Sequence, residues 1–248
     1  MSSTATGYDL LASQFSPEGR IYQIEYAKKA VRKSGTVIGL RGKDCVVLAA
    51  EKIKQSKLHE SDAINRIFTV NGNVGMAMAG FIPDGKHIFE IARTEAMAYK
   101  FNYHNDIPLK HLKRKVAMYV HAYTLFGALR CFGCSLMLAA CGPKGPELCC
   151  IDPSGTYQDC YGCAVGKHRG AAKTEIEKLD LKNMDGRSLV KEAARILFML
   201  RDGKEFDMEL SWVGRNTKGK HLNVPKLIFD ESKSYAIAEE QQRDSEED

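Results

Sequence analysis

The sequence lacks any apolar run that approaches the roughly 20 residues a membrane-spanning helix requires. Its first residues, MSSTATG, contain neither the basic stretch nor the apolar stretch of a secretory signal peptide. No linker rich in proline, glycine and serine divides the 248 residues, and no internal repeat is evident. These absences argue against a secreted or helical membrane protein. They favour a cytoplasmic and nuclear location and a single domain over residues 1–235.

The composition is that of a globular protein with one unusual end. Hydrophobic residues make up 44 % of the chain and charged residues 27 %, and this length can bury a sizeable core. The net charge of +5 hides an asymmetry, because the last ten residues, EEQQRDSEED, carry six acidic side chains and one basic side chain. The segment 236–248 is therefore expected to be a disordered, solvated tail. The more basic body could meet nucleic acid or acidic neighbours in an assembly.

Two serines are candidate modification sites near the ends of the chain. Ser245 precedes three acidic residues, which is the pattern that an acidophilic kinase recognises, although such short motifs match often by chance. Ser2 is small enough for acetylation after loss of Met1.

The order of apolar and turn segments predicts an α+β protein. Alternating and β-branched runs predict strands, and Asn71-Gly72 is a strong hairpin signal. Hairpins, a helix pair, more hairpins and a second helix pair imply antiparallel sheets with helices on their outer faces. The strands are predicted at Thr36–Arg41, Cys45–Ala50, Ile67–Val70, Val74–Ala79, Gly133–Ala140, Glu147–Ile151, Tyr161–Val165 and Phe206–Gly214. The helices after the first are predicted at Pro83–Phe101, Pro108–Phe126, Lys167–Leu179, Ser188–Leu200 and from about Lys226.

The stretch Tyr8–Val31, YDLLASQFSPEGRIYQIEYAKKAV, is the most informative part of the chain. Ser16 and Pro17 are typical of a helix start, since Pro costs no hydrogen bond at the first helical position and Ser can cap the following amides. Apolar residues then recur at helical spacing as far as Val31. The periodicity alone indicates a surface helix, so residues 1–33 are predicted to be a tail followed by a helix.

The amino-acid sequence of this stretch closely resembles the N-terminal segment of alpha-type subunits of the 20S proteasome. Ordered matches continue along nearly the whole chain: Pro108–Lys110, Val116–Leu125, Phe132–Cys134, Ile151–Gly155, Gly162–Gly166, Ala171–Leu179 and Glu209–Gly214. The resemblance implies the four-layer αββα sandwich of the N-terminal nucleophile hydrolase fold, in which two antiparallel sheets are flanked by helices.

The resemblance also implies a role. Alpha subunits form seven-membered rings that stack on rings of proteolytic beta subunits, and their N-terminal tails close the axial pore until activators rearrange them. Transferred to this sequence, the gating cluster comprises Tyr8, Asp9, Pro17 and Tyr26. The partners expected are other alpha subunits, beta-ring subunits and the C-terminal tails of activators or the regulatory particle. The function expected is that of a non-catalytic scaffold and gate in ubiquitin- and ATP-dependent protein degradation.

The same resemblance places an activator pocket at Gly19, Arg66 and Gly80. Arg66 occupies the position of the lysine that pairs with the terminal carboxylate of an activator, so the charge is kept with altered geometry. Glycine suits backbone that a peptide approaches closely. Arg66 could instead be an ordinary salt-bridge partner at the edge of a strand.

The alternative function is an active threonine hydrolase matured by cleavage between Gly35 and Thr36. The residues N-terminal to Thr36 resemble a tail and helix that the mature protein keeps more than a propeptide that is cleaved off. In addition, Arg66 replaces the lysine that would tune the amine, and arginine stays protonated. Glu51 stands where the family's catalytic members carry aspartate. We therefore expect no catalytic residues and no cofactor.

Two cysteine pairs, Cys131/Cys134 and Cys160/Cys163, form a C-x2-C…C-x2-C pattern with 25 residues between them. Zinc ribbons use such pairs, although with shorter spacing as a rule. Both pairs are predicted to enter strands, where positions i and i+3 point to opposite faces. Buried thiols that act as small apolar residues are the favoured interpretation, so no metal is expected.

The basic run Lys110–Lys115, KHLKRK, could be a nuclear-import or nucleic-acid patch. Its predicted helix has an apolar stripe of Leu112, Val116 and Val120, so the charges are expected to lie largely on the solvent side. Aromatic residues do not interleave with the charges as they do on an RNA-binding surface. Specific nucleic-acid binding is therefore not expected.

Overall fold

The computed structural model describes residues 7–53, 58, 65–201 and 206–247. The strands are β1 (Val37–Arg41), β2 (Cys45–Ile53), β3 (Ile67–Asn71), β4 (Val74–Gly80), β5 (Cys134–Gly142), β6 (Gly145–Ile151), β7 (Tyr157–Asp159), β8 (Gly162–Val165), β9 (Phe206–Gly214) and β10 (His221–Asn223). The helices are α1 (Tyr22–Arg32), α2 (Ile82–Tyr103), α3 (Leu109–Leu125), α4 (Arg169–Glu177), α5 (Gly186–Met199) and α6 (Lys226–Glu247).

The strands form two antiparallel sheets of five strands each. The first sheet has the order β10-β9-β2-β1-β8, and the second has the order β3-β4-β5-β6-β7. Helices α4, α5 and α6 cover the outer face of the first sheet, while α2 and α3 cover the second. This arrangement confirms the predicted α+β class and the four-layer αββα sandwich.

The alternation of side chains along the central strands produces three apolar layers. In β2, Val47 and Ala49 face the helices, whereas Val46 and Leu48 face the other sheet. In β5, Met137 lies between the sheets, and its neighbours on either side face α2 and α3. Strands with both faces buried read as continuous apolar runs, which is why residues 46–50 and 136–140 contain no polar side chain. None of the described helices combines the length and apolar character that crossing a membrane requires.

The first helix begins later than the sequence indicates. Ser16 and Pro17 do not start it; instead they form a tight turn in which the Gly19 amide donates to the Ser16 carbonyl oxygen at 2.9 Å. The Arg20 amide donates to Ser16 Oγ at 3.1 Å, so the serine caps the turn and not the helix. Proline suits the second position of such a turn as well as the first helical position, so the sequence signal is ambiguous.

Three further local features differ from the sequence-based prediction. The strands β7 and β10 are absent from it, because three residues are too few for an alternation to show. Helix α6 continues to Glu247 and so includes most of the segment that its charge marks as a tail. Its Ala236 is buried, and Glu240 pairs with Arg201 at 2.6 Å, which gives the extended helix contacts with the body.

The basic run lies in α3 as expected, with one exception. Lys110, Arg114 and Lys115 are exposed. Lys113 is buried, and its Nζ lies 2.5 Å from the carboxylate of Asp159 in β7. The prediction of solvated charges is therefore wrong for Lys113, because an acidic partner 46 residues away in the sequence compensates its burial.

Candidate functional site

The N-terminal segment is attached to α1 through Asp9. The Tyr26 hydroxyl donates a hydrogen bond to Asp9 Oδ2 at 3.3 Å, and Gln23 Nε2 donates to the Asp9 carbonyl oxygen. Gln23 and Tyr26 lie three residues apart on one face of the helix, which is the spacing at which helical side chains are neighbours. Two of the four predicted gating residues, Asp9 and Tyr26, are therefore in direct contact.

The electrostatic setting favours the protonated, donating form of Tyr26. Partial desolvation raises the pKa of the Tyr26 phenol, and the adjacent Asp9 carboxylate raises it further. A phenol keeps its proton at neutral pH, and this shift favours the protonated form that donates to Asp9 further.

Pro17 and Gly19 lie in the turn that leads into α1. Gly19 has a φ of +75°, a left-handed conformation that glycine adopts without the steric penalty of a Cβ atom. Arg20 follows and forms paired hydrogen bonds to the Glu25 carboxylate, with Nε 2.8 Å from Oε1. The turn therefore fixes the direction in which the chain enters the helix.

Tyr8 precedes Asp9 and is about one-third exposed. Exposed apolar side chains follow it at Leu10 and Phe15. Such a surface is unusual for a segment that stays free in solution. The gating roles of Tyr8, Asp9, Pro17 and Tyr26 stay predictions.

Arg66 lies immediately before β3 and is buried, with 9 % of its surface exposed. Burial lowers the pKa of its guanidinium, an effect that the nearby carboxylates of Glu209 and Glu51 oppose. Within the described ranges, Arg66 Nη1 has no hydrogen-bond acceptor. A buried guanidinium with an unpaired N–H has an unmet preference for an anion such as a carboxylate.

Glu209 is the residue that the sequence reasoning missed. It lies in β9, and its Oε2 accepts hydrogen bonds from the backbone amides of Arg66 and Ile67, both at 2.9 Å. Its Oε1 lies 3.2 Å from Lys52 Nζ. Glu209 thereby fixes the backbone of Arg66 across the two sheets. The only sequence signal was its place at the start of the ELSWVG motif.

Gly80 ends β4, close to Arg66 in the same hairpin. The Met78 amide donates to the Arg66 carbonyl oxygen at 2.9 Å. Gly80 has a φ of +114°, and a Cβ atom there would lie 2.2 Å from the Gly133 carbonyl oxygen. Its glycine is therefore required by packing within the chain. Gly19, in contrast, lies at the approach to α1, and the three residues stay a predicted pocket.

The catalytic alternative centres on Thr36, which is 1 % exposed. Its backbone amide donates to Glu51 Oε2 at 2.8 Å, and its Oγ1 accepts from the His168 amide at 3.4 Å. Gly166 packs directly over Gly35. An N-terminal threonine nucleophile needs a free amine and an accessible hydroxyl. In this structure the nitrogen is a bonded amide, and the hydroxyl is covered.

The four cysteines of the two pairs belong to three different apolar clusters of the fold. Cys131 packs with Ala12 and Ala27 under α1, and Cys134 belongs to the core beneath α2 and α3. Cys160 and Cys163 lie between the two sheets at the β7–β8 end. Four ligands so divided cannot hold one tetrahedral zinc ion. In the part of the chain that the structure describes, no group of three or more His, Cys, Asp or Glu side chains could hold a metal ion.

The candidate modification sites stay predictions. Ser2 lies outside the described residues, and Ser245 lies near the end of α6.

Comparison with known proteins gives matches along almost the whole chain. Residues 31–212 match the family model described as "Proteasome subunit", and residues 8–30 match the N-terminal signature of the A-type subunits of the proteasome. The chain is 50 % identical to the alpha type-3 proteasome subunit of Drosophila melanogaster, over 99 % of this chain and 98 % of the relative. It is 44 % identical to the protein of the same name from Arabidopsis thaliana, over 95 % of this chain and 96 % of the relative.

Proposed function

We propose a scaffold and gate function for this chain, which belongs to the proteasome subunit family and is of the alpha type. It contributes one position of a seven-membered alpha ring in the 20S core particle and contacts neighbouring alpha and beta subunits. It has no catalytic role of its own. Its N-terminal segment helps to close the pore through which substrates enter.

The hydrogen bond between Tyr26 and Asp9 is the observation that carries the gate proposal. It joins the base of the N-terminal segment to α1 at the protein surface, next to the bond from Gln23 to the Asp9 carbonyl oxygen. Exposed hydrogen bonds contribute little to stability, so the segment can change between an anchored and a released arrangement at low cost. An anchored segment stands upright and leaves the pore open, whereas a released segment crosses it.

Core particles whose copy of this chain carries Tyr26→Phe test the gate proposal. The change removes the hydroxyl and keeps the ring, so activator-stimulated hydrolysis of a fluorogenic peptide should fall while basal hydrolysis changes little. Tyr103→Phe is the matched control, because Tyr103 is an exposed tyrosine at the end of α2. Equal stimulation in the two variants would contradict the role of Tyr26.

The proposal of a non-catalytic role is supported by the burial of Thr36, whose hydroxyl is covered. Intact-mass measurement of the chain isolated from assembled particles tests it. A chain that retains the residues before Thr36 agrees with the proposal. A chain that begins at Thr36 would establish the hydrolase alternative.

Activator docking is supported by the positive charge of Arg66, which suits the terminal carboxylate of an activator's C-terminal tail. Arg66→Glu should weaken the gate opening that an activator tail peptide triggers, while Arg66→Lys should retain part of it because the charge is kept. Arg93→Glu, on the exposed side of α2, makes the same charge reversal elsewhere. If Arg66→Glu and Arg93→Glu open equally well, Arg66 has no part in docking.

Exposed apolar side chains support assembly into rings, among them Leu10, Leu11 and Phe15 in the N-terminal segment. Scattered apolar residues are normal, but a cluster along one segment indicates a contact surface. Native mass spectrometry of the protein from its own cells tests assembly. A four-ring particle that contains the chain supports the proposal, whereas a free monomer of 27.6 kDa would contradict it.

The particle is proposed to act in ubiquitin- and ATP-dependent degradation in cytoplasm and nucleus. The exposed part of the basic run on α3 supports nuclear entry. Imaging of the tagged chain, with Lys110, Arg114 and Lys115 changed to glutamine as the comparison, tests that location.

A further inference from the structure

Three cysteines meet at one open edge of the sandwich. Strand β7 is an edge of the second sheet and β8 is an edge of the first, so the link between them crosses from one sheet to the other. Cys160 lies in this link and Cys163 in β8, opposite Gly39 of β1. Cys150 lies in the adjacent β6, opposite Gln158. All three are half-buried and free of disulfides, so reagents can reach this edge.

The path of the backbone brings the side chains of Cys150, Cys160 and Cys163 close together. The Cys160 amide donates to the Leu148 carbonyl oxygen at 3.1 Å, which places Cys160 beside β6. Cys150 lies two residues beyond Leu148 and so shares its face of the strand. Cys160 and Cys163 both pack on the apolar layer between the sheets, to which Leu148 belongs. The Cys160 thiol donates to the Leu148 carbonyl oxygen at 3.9 Å, which places its sulfur at the same layer as Cys163.

The charges around the three sulfurs distinguish them. The hydrogen bond from Cys163 lowers the pKa of Cys160, and Arg41 acts in the same direction. Hydrogen bonding to Cys150 and Cys160, together with burial, raises the pKa of Cys163. Asp159 opposes a thiolate at Cys160, but this carboxylate is paired with Lys113. Cys160 is therefore the sulfur that ionises more readily, and Cys163 is its proton-bearing neighbour.

We propose that Cys160 and Cys163 form a reversible redox site at the edge of the sandwich, in which a hydroperoxide oxidises the pair to a disulfide. Nothing in the proposed gate function requires this site. The disulfide would close a ring of only four residues across the link between the two sheets. Such a small and accessible ring gives little stability and is of the labile, regulatory kind.

The reaction balances with hydrogen peroxide as the oxidant. The Cys160 thiolate attacks one peroxide oxygen, the O–O bond breaks, and protonated hydroxide leaves as water. Cys160 is then a sulfenic acid. The Cys163 sulfur attacks the Cys160 sulfur, the S–O bond breaks, and the departing hydroxide takes the Cys163 proton and leaves as water. Two thiols lose two electrons in total, and the peroxide gains them.

The second cysteine pair in the same chain is an internal control. Cys131 and Cys134 have the same spacing, but both are buried. Burial raises the pKa of Cys134 to about 12. This pair should therefore stay reduced at peroxide concentrations that oxidise Cys160 and Cys163.

The test is oxidation of the full-length chain by hydrogen peroxide, followed by alkylation of the remaining thiols and peptide mass spectrometry. A protease that cuts before aspartate separates Cys150 from Cys160 and Cys163, because Asp152 and Asp159 lie between them. A Cys160–Cys163 disulfide then stays within one peptide that has lost two hydrogens and binds no alkylating agent. A Cys150–Cys160 disulfide would join two peptides.

Two serine variants complete the test. Cys163→Ser should stop the reaction at the sulfenic acid of Cys160, which dimedone captures, and Cys160→Ser should remove both the disulfide and the dimedone adduct. Thiol reductant should restore the starting mass of the wild-type peptide. The proposal is wrong if the first disulfide joins Cys150, if Cys131 and Cys134 oxidise equally fast, or if Cys160→Ser leaves the oxidation unchanged.

Discussion

Glu209→Ala should lower the free energy of unfolding, because it removes a carboxylate that joins the two sheets. The Glu209 carboxylate accepts two backbone amide hydrogen bonds at 2.9 Å and lies 3.2 Å from Lys52 Nζ. Its side chain is 15 % exposed and that of Lys52 is 10 % exposed, so solvent replaces little of what the variant removes. The backbone amides of Arg66 and Ile67 would lose their acceptor.

The size of the effect follows from the number and kind of bonds. Hydrogen bonds to a charged group contribute about 1.5–3 kcal/mol each, and removing one member of a buried pair costs about 3–5 kcal/mol. Because the site retains some solvent contact, we expect a loss of about 3 kcal/mol in the free energy of unfolding. In a chain of this length that lowers the melting temperature by about 6–12 °C.

The fluorescence of Trp212, the single tryptophan, reports unfolding directly, since it lies in β9 with Glu209 and is buried. Glu209→Gln keeps an oxygen for the two amides but no charge for Lys52, so it should lose about half as much free energy. Glu231→Ala, an exposed glutamate on α6, is the control and should stay within about 0.5 kcal/mol of the wild type. A Glu209→Ala variant as stable as this control would refute the reasoning.

Three further predictions concern other buried contacts. Burial lowers the pKa of His221 to about 4. As the pH falls below 6.5, His221 therefore becomes protonated in the unfolded chain but stays neutral in the folded chain. Stability should therefore fall by about 3 kcal/mol as the pH falls from 6.5 to 4, and His221→Asn should flatten that slope in urea titrations. Gly80→Ala should cost about 2 kcal/mol or more in thermal unfolding, because its Cβ would meet the Gly133 carbonyl, whereas Gly170→Ala in α4 meets nothing and should be neutral or stabilising. Asp84→Asn should cost about 2 kcal/mol, measured by urea unfolding, because the buried carboxylate accepts from Arg130 Nη2 at 2.7 Å and from the Gly133 amide at 2.8 Å; no measurable loss would contradict its role.

The elements that the sequence predicts well are those whose signal is local. The Asn71-Gly72 hairpin and the apolar stripe of α3 need only neighbouring residues to be recognised, and both are confirmed. The strands β7 and β10 carry no such signal, because their pairing depends on partners in other parts of the chain. The burial of Lys113 is likewise decided by Asp159, which no helical periodicity reveals.

The residues of the candidate site also divide into those that a local sequence signal reveals and those that depend on distant partners. Tyr26 and Asp9 could be named from the resemblance, but their contact depends on where α1 begins, and the Ser16-Pro17 signal fits both a helix start and a turn. Glu209 could not be recognised because its amide partners are 142 and 143 residues away in the sequence. A glutamate in a strand with alternating burial reads as a solvent-facing residue unless its partners are known.

The two predicted functional regions are attached to the fold with very different strength, and this difference is what a gate requires. Glu209 and the Gly80–Gly133 contact hold Arg66 and its hairpin on the sandwich, so the backbone around Arg66 is fixed before any ligand binds. The N-terminal segment is held on α1 by the surface contacts of Asp9 with Tyr26 and Gln23 and by the small buried side chain of Ala12. A ligand can shift an equilibrium only by its difference in affinity for the two states. A rigid site and a weakly held segment in the same chain would therefore let a modest difference in affinity move the segment without unfolding the rest of the chain.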